Sequence, residues 1–263
     1  MTRPPATRAL LASALSVTAL LATAGCSVQD EPRPRWFSAS ASASASGASP
    51  AVEQPAGSGA ALTEAQARAA LVTEADLGEP WGPTRGARTW RDGLLKASTE
   101  DRECQRLLDA LYTEEPFGAP KGPQATSALD DGDTDAQLRY RVAAHPPADV
   151  DRTLDWMRSL PGRCGQFTAA TTRGGIQGVE VRDLPLPPVG DARQALRVTL
   201  AGETEEGELT YLTMDLAAVR AGEETITLTN AGLDEVYAEV TQQAVELGAR
   251  RLSEIRKQGR AQI

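Results

Sequence analysis

Apolar and polar positions change period along the chain and divide it into three stretches. Between positions 9 and 22 every residue is apolar or small. From 27 to about 59 there is no apolar face at all, and residues 38–46 simply alternate Ser with Ala. Beyond about 61, helical and strand periods take turns. Thr63 and Gln66 match a capping box, with Thr63 as the cap and Gln66 reaching back, and start a short Ala-rich helix to about Val72. Thr73 and Asp76 repeat that signal for one more turn, which Gly78 stops. An irregular stretch with Pro80, Gly82, Pro83 and Gly86 follows. Ser98 and Asp101 match a further capping box ahead of Cys104, Leu107, Leu108 and Leu111, whose spacing gives one apolar helical face. Pro146 and Pro147 open a third helix. Val150, Leu154 and Met157 share one face of it, Trp156 and Leu160 lie beside that face, and Pro161 with Gly162 is expected to end it. The last helix is the longest. Leu233, Val236, Tyr237, Val240, Ala244, Leu247 and Gly248 make its expected buried stripe, and Arg250, Arg251, Arg256 and Lys257 crowd its C-terminal end, where the helix dipole favours cations.

Between these helices the period falls to two. Residues 137–142, 194–200 and 224–229 alternate clearly, 211–216 are more mixed, and 125–129 and 176–181 are weaker strand candidates. Asp131-Gly132-Asp133, residues 202–207 and Ala221-Gly222 separate them as turns. Short turns between successive strands imply antiparallel pairing. An alternating strand buries one face, and the helices are expected to cover it. The fold class is α+β, a twisted antiparallel β-sheet flanked by helices, in one domain over residues 61–263.

The first stretch reads as an address. Residues 1–25 hold Arg3 and Arg8, no acidic residue, and an apolar run of about 14 residues, short of the ~20 that span a bilayer. Ala24, Gly25 and Cys26 then resemble a bacterial lipoprotein cleavage site, although Thr23 stands where Leu, Val or Ile is usual. On this reading Cys26 becomes the first mature residue and carries a diacylglyceryl group with palmitate-type chains. The anchor holds the protein on the extracytoplasmic face of the cell membrane. One acyl chain binds marginally and two bind stably, at about 0.8 kcal/mol per buried methylene. An ordinary cleaved signal without lipid is the alternative. Residues 26–60 then form a lipidated, Ser/Ala/Pro-rich tether, too poor in apolar surface to offset its ordering entropy.

Charge narrows the partners. The whole chain carries a formal −9, and loss of Arg3 and Arg8 takes the mature protein to −11. Such a balance repels phosphate, so nucleic acid is not an expected partner. Aromatic residues make up only 4% of the chain, too few for a stacking platform for sugars or bases.

Once Cys26 is lipidated, Cys104 and Cys164 are the cysteines that remain. In an oxidising exterior they are expected to pair, closing a loop of about 60 residues that contributes roughly 4 kcal/mol. The alternatives are a metal site or a reactive thiol. With His145 as the single histidine and no CxxC, the metal set is poor, and neither metal nor cofactor is expected.

Several segments together resemble a known family. These are residues 71–78, Cys104 within Glu103-Cys104-Gln105-Arg106-Leu107-Leu108, Cys164 before Gly165-Gln166-Phe167-Thr168, Leu184-Pro185-Leu186-Pro187 with Gly190-Asp191-Ala192, the strand at 215–222, and a final helix. Their order is similar to actinobacterial lipoproteins related to the extracellular sensor domain of PknH-like receptor kinases. The resemblance implies a twisted antiparallel sheet flanked by helices, with a cleft for a ligand, and brings no catalytic residues. This sequence departs from the family in lacking the kinase and in having one candidate disulfide where the kinase sensor has two.

Other chemistry is thin. Asp131, Asp133 and Asp135 open like a calcium loop, but Ala136 and Val142 stand where Gly and an acid are required. His145 precedes two prolines and has no GxSxG to serve. Arg173-Gly174-Gly175 lacks the context of a phosphate loop and reads as a turn, and Glu205-Glu206 and Glu223-Glu224 read as turn charges. The expected function is therefore non-enzymatic: a membrane-anchored ligand-binding or sensory module of the cell envelope. It would take a small ligand or an envelope protein near Trp81, Trp90 and Trp156. A cell-envelope hydrolase and a structural envelope protein are the alternatives.

Overall fold

The structure, a computed structural model, describes residues 62–203, 207–233 and 235–261. The signal segment, Cys26, the tether and Glu205-Glu206 lie outside the described residues. Five α-helices occur in them: α1 (Glu64–Ala69), α2 (Glu74–Leu77), α3 (Arg102–Thr113), α4 (Pro147–Arg163) and α5 (Ala238–Ala261). A π-helical turn spans Arg91–Leu95. The strands are β1 (Trp81–Pro83), β2 (Ala97–Ser98), β3 (Gln124–Asp131), β4 (Gln137–Ala144), β5 (Gln166–Thr171), β6 (Ile176–Asp183), β7 (Ala192–Glu203), β8 (Leu209–Ala221) and β9 (Glu224–Leu233). They form one open antiparallel sheet in the order β1-β3-β4-β9-β8-β7-β6-β5-β2.

The strand period decides which residues meet which helices. On β7 and β8, Leu196, Val198, Leu200, Leu212, Met214 and Leu216 face α3, α4 and the π-turn. Their neighbours Ala195, Ala217 and Val219 face the opposite side, with α1 and α5. The helices therefore cover opposite faces of the sheet, and largely different strands: α4 packs on β6, β7 and β8, whereas α1 packs on β3 and β4 and α5 on β8 and β9. The sheet has a core on each side, and β9 near its middle is buried along all but its last residue. The α+β expectation of a sheet flanked by helices holds, with cover on both faces instead of one.

Local signals explain most helix boundaries. Gln66 N–H donates to Thr63 Oγ1 at 3.2 Å and Thr63 N–H to Gln66 Oε1 at 2.9 Å, the reciprocal pair expected. Asp76 accepts from the Thr73 N–H and hydroxyl, both at 2.8 Å. Three expectations need correction. Ser98 lies in β2, and Asp101 itself caps α3, accepting from Glu103 and Cys104 N–H at 2.8 and 3.1 Å. Pro161 does not end α4, which runs to Arg163; the proline sits in its last turn, and the Cys164 N–H still closes that turn on the Leu160 carbonyl. The buried stripe of α5 is Thr241, Ala244, Val245, Gly248, Ala249 and Leu252, so Ala244 and Gly248 fall where expected; Val236 is buried just before the helix, whereas Leu233 ends β9 and Tyr237 is 48% exposed, because the helix begins only at Ala238. Three strands had no sequence signal strong enough to expect them: β1 and β2 are too short to show a period, and β5 is polar at its first position.

Candidate functional site

A concavity with a volume of about 660 Å³ lies at one end of the sheet, on the α3/α4 face. Five strands end or begin there. Thr171 of β5, Gln177 of β6, Gly202 of β7, Thr210 of β8 and Leu233 of β9 all line it. The π-turn forms the facing wall and contributes Gly93 and Leu94, with Thr89 and Trp90 from the residues before it. Arg173, Gly175, Ile176 and Glu203 complete the rim.

Two strand positions make the space. The register of β6 puts Gln177 in phase with Val179 and Val181, a core phase, and Gln177 is 1% exposed. The register of β7 puts Gly202 in phase with Val198 and Leu200, where no side chain then fills the sheet surface. A Cβ at Gly202 would meet only Gln177 Cβ at 3.6 Å, Leu94 Cδ2 at 3.9 Å and Gln177 Oε1 at 4.0 Å. Gln177 Nε2 donates to the Leu94 carbonyl at 2.8 Å, tying the sheet to the π-turn. Gln177 Oε1 and Trp90 Nε1 are buried with no hydrogen-bond partner among the described residues. A buried polar group left unpaired costs about 1–3 kcal/mol.

The wall is held rigidly. Arg91 donates to the Tyr112 carbonyl at 2.7 Å and pairs with Glu114. Tyr112 Oη donates to Asp92 at 2.9 Å, a bond that pushes the phenol pKa up. Glu114, at φ 58°, also reaches Arg139 of β4 at 3.4 Å. These contacts latch the π-turn to the end of α3 and to the sheet, which is how a short irregular segment keeps a fixed shape.

The three candidate tryptophans do not converge. Trp90 borders the cavity. Trp81 packs in the core of the opposite face and edges only a shallow surface hollow with Glu79, Pro80 and Asp133. Trp156 lies in α4 beneath the Arg106 guanidinium, 3.8 Å from its ring centre, and is part of the core. Trp81 begins β1, Trp90 precedes the π-turn and Trp156 lies in α4; packing placed these elements, and sequence spacing holds no record of that. Arg173-Gly174-Gly175 is a hairpin turn, as expected, but it sits at the cavity rim. Gln177 and Gly202 were missed, although each interrupts the apolar phase of its strand and was legible as such.

The remaining chemistry is structural. Asp131 Oδ1 accepts from Asp133 and Thr134 N–H at 2.8 and 3.0 Å, closing the β3–β4 turn. His145 Nδ1 lies 2.9 Å from Thr225 Oγ1, and burial lowers the imidazole pKa. Glu224 is not a turn charge: it is the first residue of β9, 4% exposed, and burial raises its carboxyl pKa against the opposing pull of Arg256. Asp215, fully buried, takes two bonds from Arg197 at 2.7 and 3.0 Å and one from Thr241 at 2.8 Å, fixing the start of α5 to the sheet. Cys104 and Cys164 form a disulfide between the start of α3 and the end of α4, and both are buried. Asp101 lies beside that pair, but sulfurs bonded to each other have no thiolate to offer a metal. None of the described helices is long and apolar enough to cross a membrane.

No protein-family model matches the chain, and no curated protein matches it. Among solved structures, it is similar to the extracellular domain of PknH from Mycobacterium tuberculosis. That pair shares 17% identity at a TM-score of 0.45, over 74% of this chain and 97% of that one. A protein from Rhizobium leguminosarum aligns at 13% identity and a TM-score of 0.25, over 51% of this chain and 98% of that one.

Proposed function

We propose that this chain is a lipid-anchored, extracytoplasmic binding module that senses a small ligand in the cavity beneath Trp90. The observation that carries the reading is Gln177: a polar side chain in a core phase of β6, 1% exposed, with an acceptor that none of the described residues uses. A residue placed so has a cost that simple packing does not offset. The disulfide between two buried cysteines suits an oxidising compartment, and the sequence around Cys26 suits a lipid anchor there. The anchor and the tether hold the domain near the membrane, and the latched π-turn gives the cavity a preformed shape. The reading is of binding without catalysis.

Native mass spectrometry of the full protein, purified from membranes in mild detergent, tests the reading. A small molecule should travel with the parent protein and be absent from a Gly202→Leu variant, whose leucine occupies the space between Gln177 and Leu94. Equal occupancy of the two would refute the cavity as the site. Cell fractionation of Cys26→Ala tests the anchor: release into the medium is expected, and retention in the membrane fraction would refute it.

A further inference from the structure

We infer that the cavity selects an uncharged amphipathic ligand whose head group offers both a hydrogen-bond donor and an acceptor, such as a hydroxyl or an amide, on an apolar body. The inference rests on the reading of the cavity as a ligand site and adds the chemistry of the ligand.

The polarity of the site is fixed by its own bonds. Gln177 Nε2 is committed to the Leu94 carbonyl at 2.8 Å, and turning the amide over would set its oxygen against that carbonyl oxygen. Gln177 therefore presents Oε1, an acceptor. Trp90 Nε1–H can only donate. Both atoms are buried without a partner among the described residues. A hydroxyl or an amide can serve one of each kind. A carboxylate brings acceptors only and faces Gln177 Oε1 with like polarity. An ammonium brings donors only and leaves Trp90 Nε1 unserved.

Charge points the same way. The neutral amide and indole cannot repay the desolvation of an ion. Glu203 and Arg173 both stand at the rim, so its formal charges offset and favour neither an anion nor a cation. The body of the ligand has its own surface. Ile176 and Leu233 line the mouth at 68% and 39% exposure, and Leu94 lies further in beside Gly202. A Cβ placed on Gly202 would lie 4.0 Å from Gln177 Oε1, so a group passing over Gly202 comes alongside that oxygen.

Four six-carbon probes with one body and different heads test this on the full protein: 1-hexanol, hexanamide, hexanoate and hexylammonium. The readout is the indole N–H resonance of Trp90 in a 15N-labelled sample, assigned by its loss in Trp90→Phe. Hexanol and hexanamide should shift that resonance in a saturable way, with the two ions at least tenfold weaker. Gln177→Leu should weaken the neutral probes by about three- to tenfold, the loss of one hydrogen bond. Gly202→Leu should abolish their effect while the circular dichroism spectrum is kept, and Gln177→Leu remains as a separate test if that variant does not fold. Equal response to all four heads, or a stronger response to an ion, overturns the head-group inference and leaves the cavity as a site. No response to any probe, in the parent or the variants, overturns the site itself and the inference with it.

Discussion

Gly248 offers a stringent test of the packing described above, because two physical effects predict opposite signs. It sits within α5, where Ala in place of Gly ordinarily stabilises by about 1 kcal/mol. Here α5 crosses Tyr140 of β4, which is 1% exposed. A Cβ at Gly248 would fall onto the Tyr140 hydroxyl and lie 2.7 Å from Cζ and 3.2 Å from Cε2. Carbon atoms pack best at about 3.5–4.0 Å and the hydroxyl oxygen lies nearer still, so the ring or the helix must move by roughly 1.5 Å. Tyr140 is enclosed on all sides and cannot turn away. Overpacking of this kind costs about 1–3 kcal/mol, and the enclosure favours the upper end. Less the helix gain, Gly248→Ala should destabilise by about 2 kcal/mol. For a domain of this size that lowers the melting temperature by about 4–8 °C. Tyr140→Phe supplies the control. Its hydroxyl has no hydrogen-bond partner among the described residues, so its removal alone should be nearly neutral or stabilising. In the Phe background Gly248→Ala should cost about 1 kcal/mol less, since the closest contact is gone. Urea unfolding followed by circular dichroism measures all four proteins. A Gly248→Ala protein as stable as its parent would mean that helix propensity outweighs packing there, and the reasoning would fail.

Two further predictions concern buried groups elsewhere in the domain. The Cys104–Cys164 bond closes a loop with a sequence separation of 60, worth about 4 kcal/mol by loop-closure entropy, so the double Ser variant should unfold at much lower urea; an unchanged midpoint refutes the role given to the bond. Glu224 has a carboxyl pKa raised above its unfolded value by burial, so its protonated form favours the folded state. That contribution is complete below the unfolded pKa, near 4.3, and is lost as pH rises through the folded pKa. Glu224→Gln should therefore gain stability over the parent at pH 8 but not at pH 4, and parallel stability profiles across that range would contradict the assignment.

Much of this architecture was legible in the chain itself. Period-two alternation marks Leu138, Tyr140 and Val142 as one face of a strand, and the structure buries all three together. The capping pairs Thr63–Gln66 and Thr73–Asp76 are local hydrogen bonds, three residues apart, and needed no distant partner to be foreseen. Strand and helix identity is set by such short-range geometry, because side-chain direction follows the backbone period. The acidic balance and the pairing of Cys104 with Cys164 are likewise properties of residue type.

The site is another matter. Trp81, Trp90 and Trp156 are equivalent as letters, yet they fall on different sides of the sheet or within a helix core, and one of them reaches the cavity. Gln177 and Gly202 are 25 positions apart, and nothing short-range joins them. They become neighbours because β6 and β7 pair with Gly178 opposite Ala201, and because the π-turn, latched through Arg91 and Glu114, closes over both. Sequence period fixes the face on which each residue stands. Only the register between strands, and the helices that settle on each face, decide which of those residues share a space, since that choice is made by packing across long loops and not by any residue's immediate neighbours.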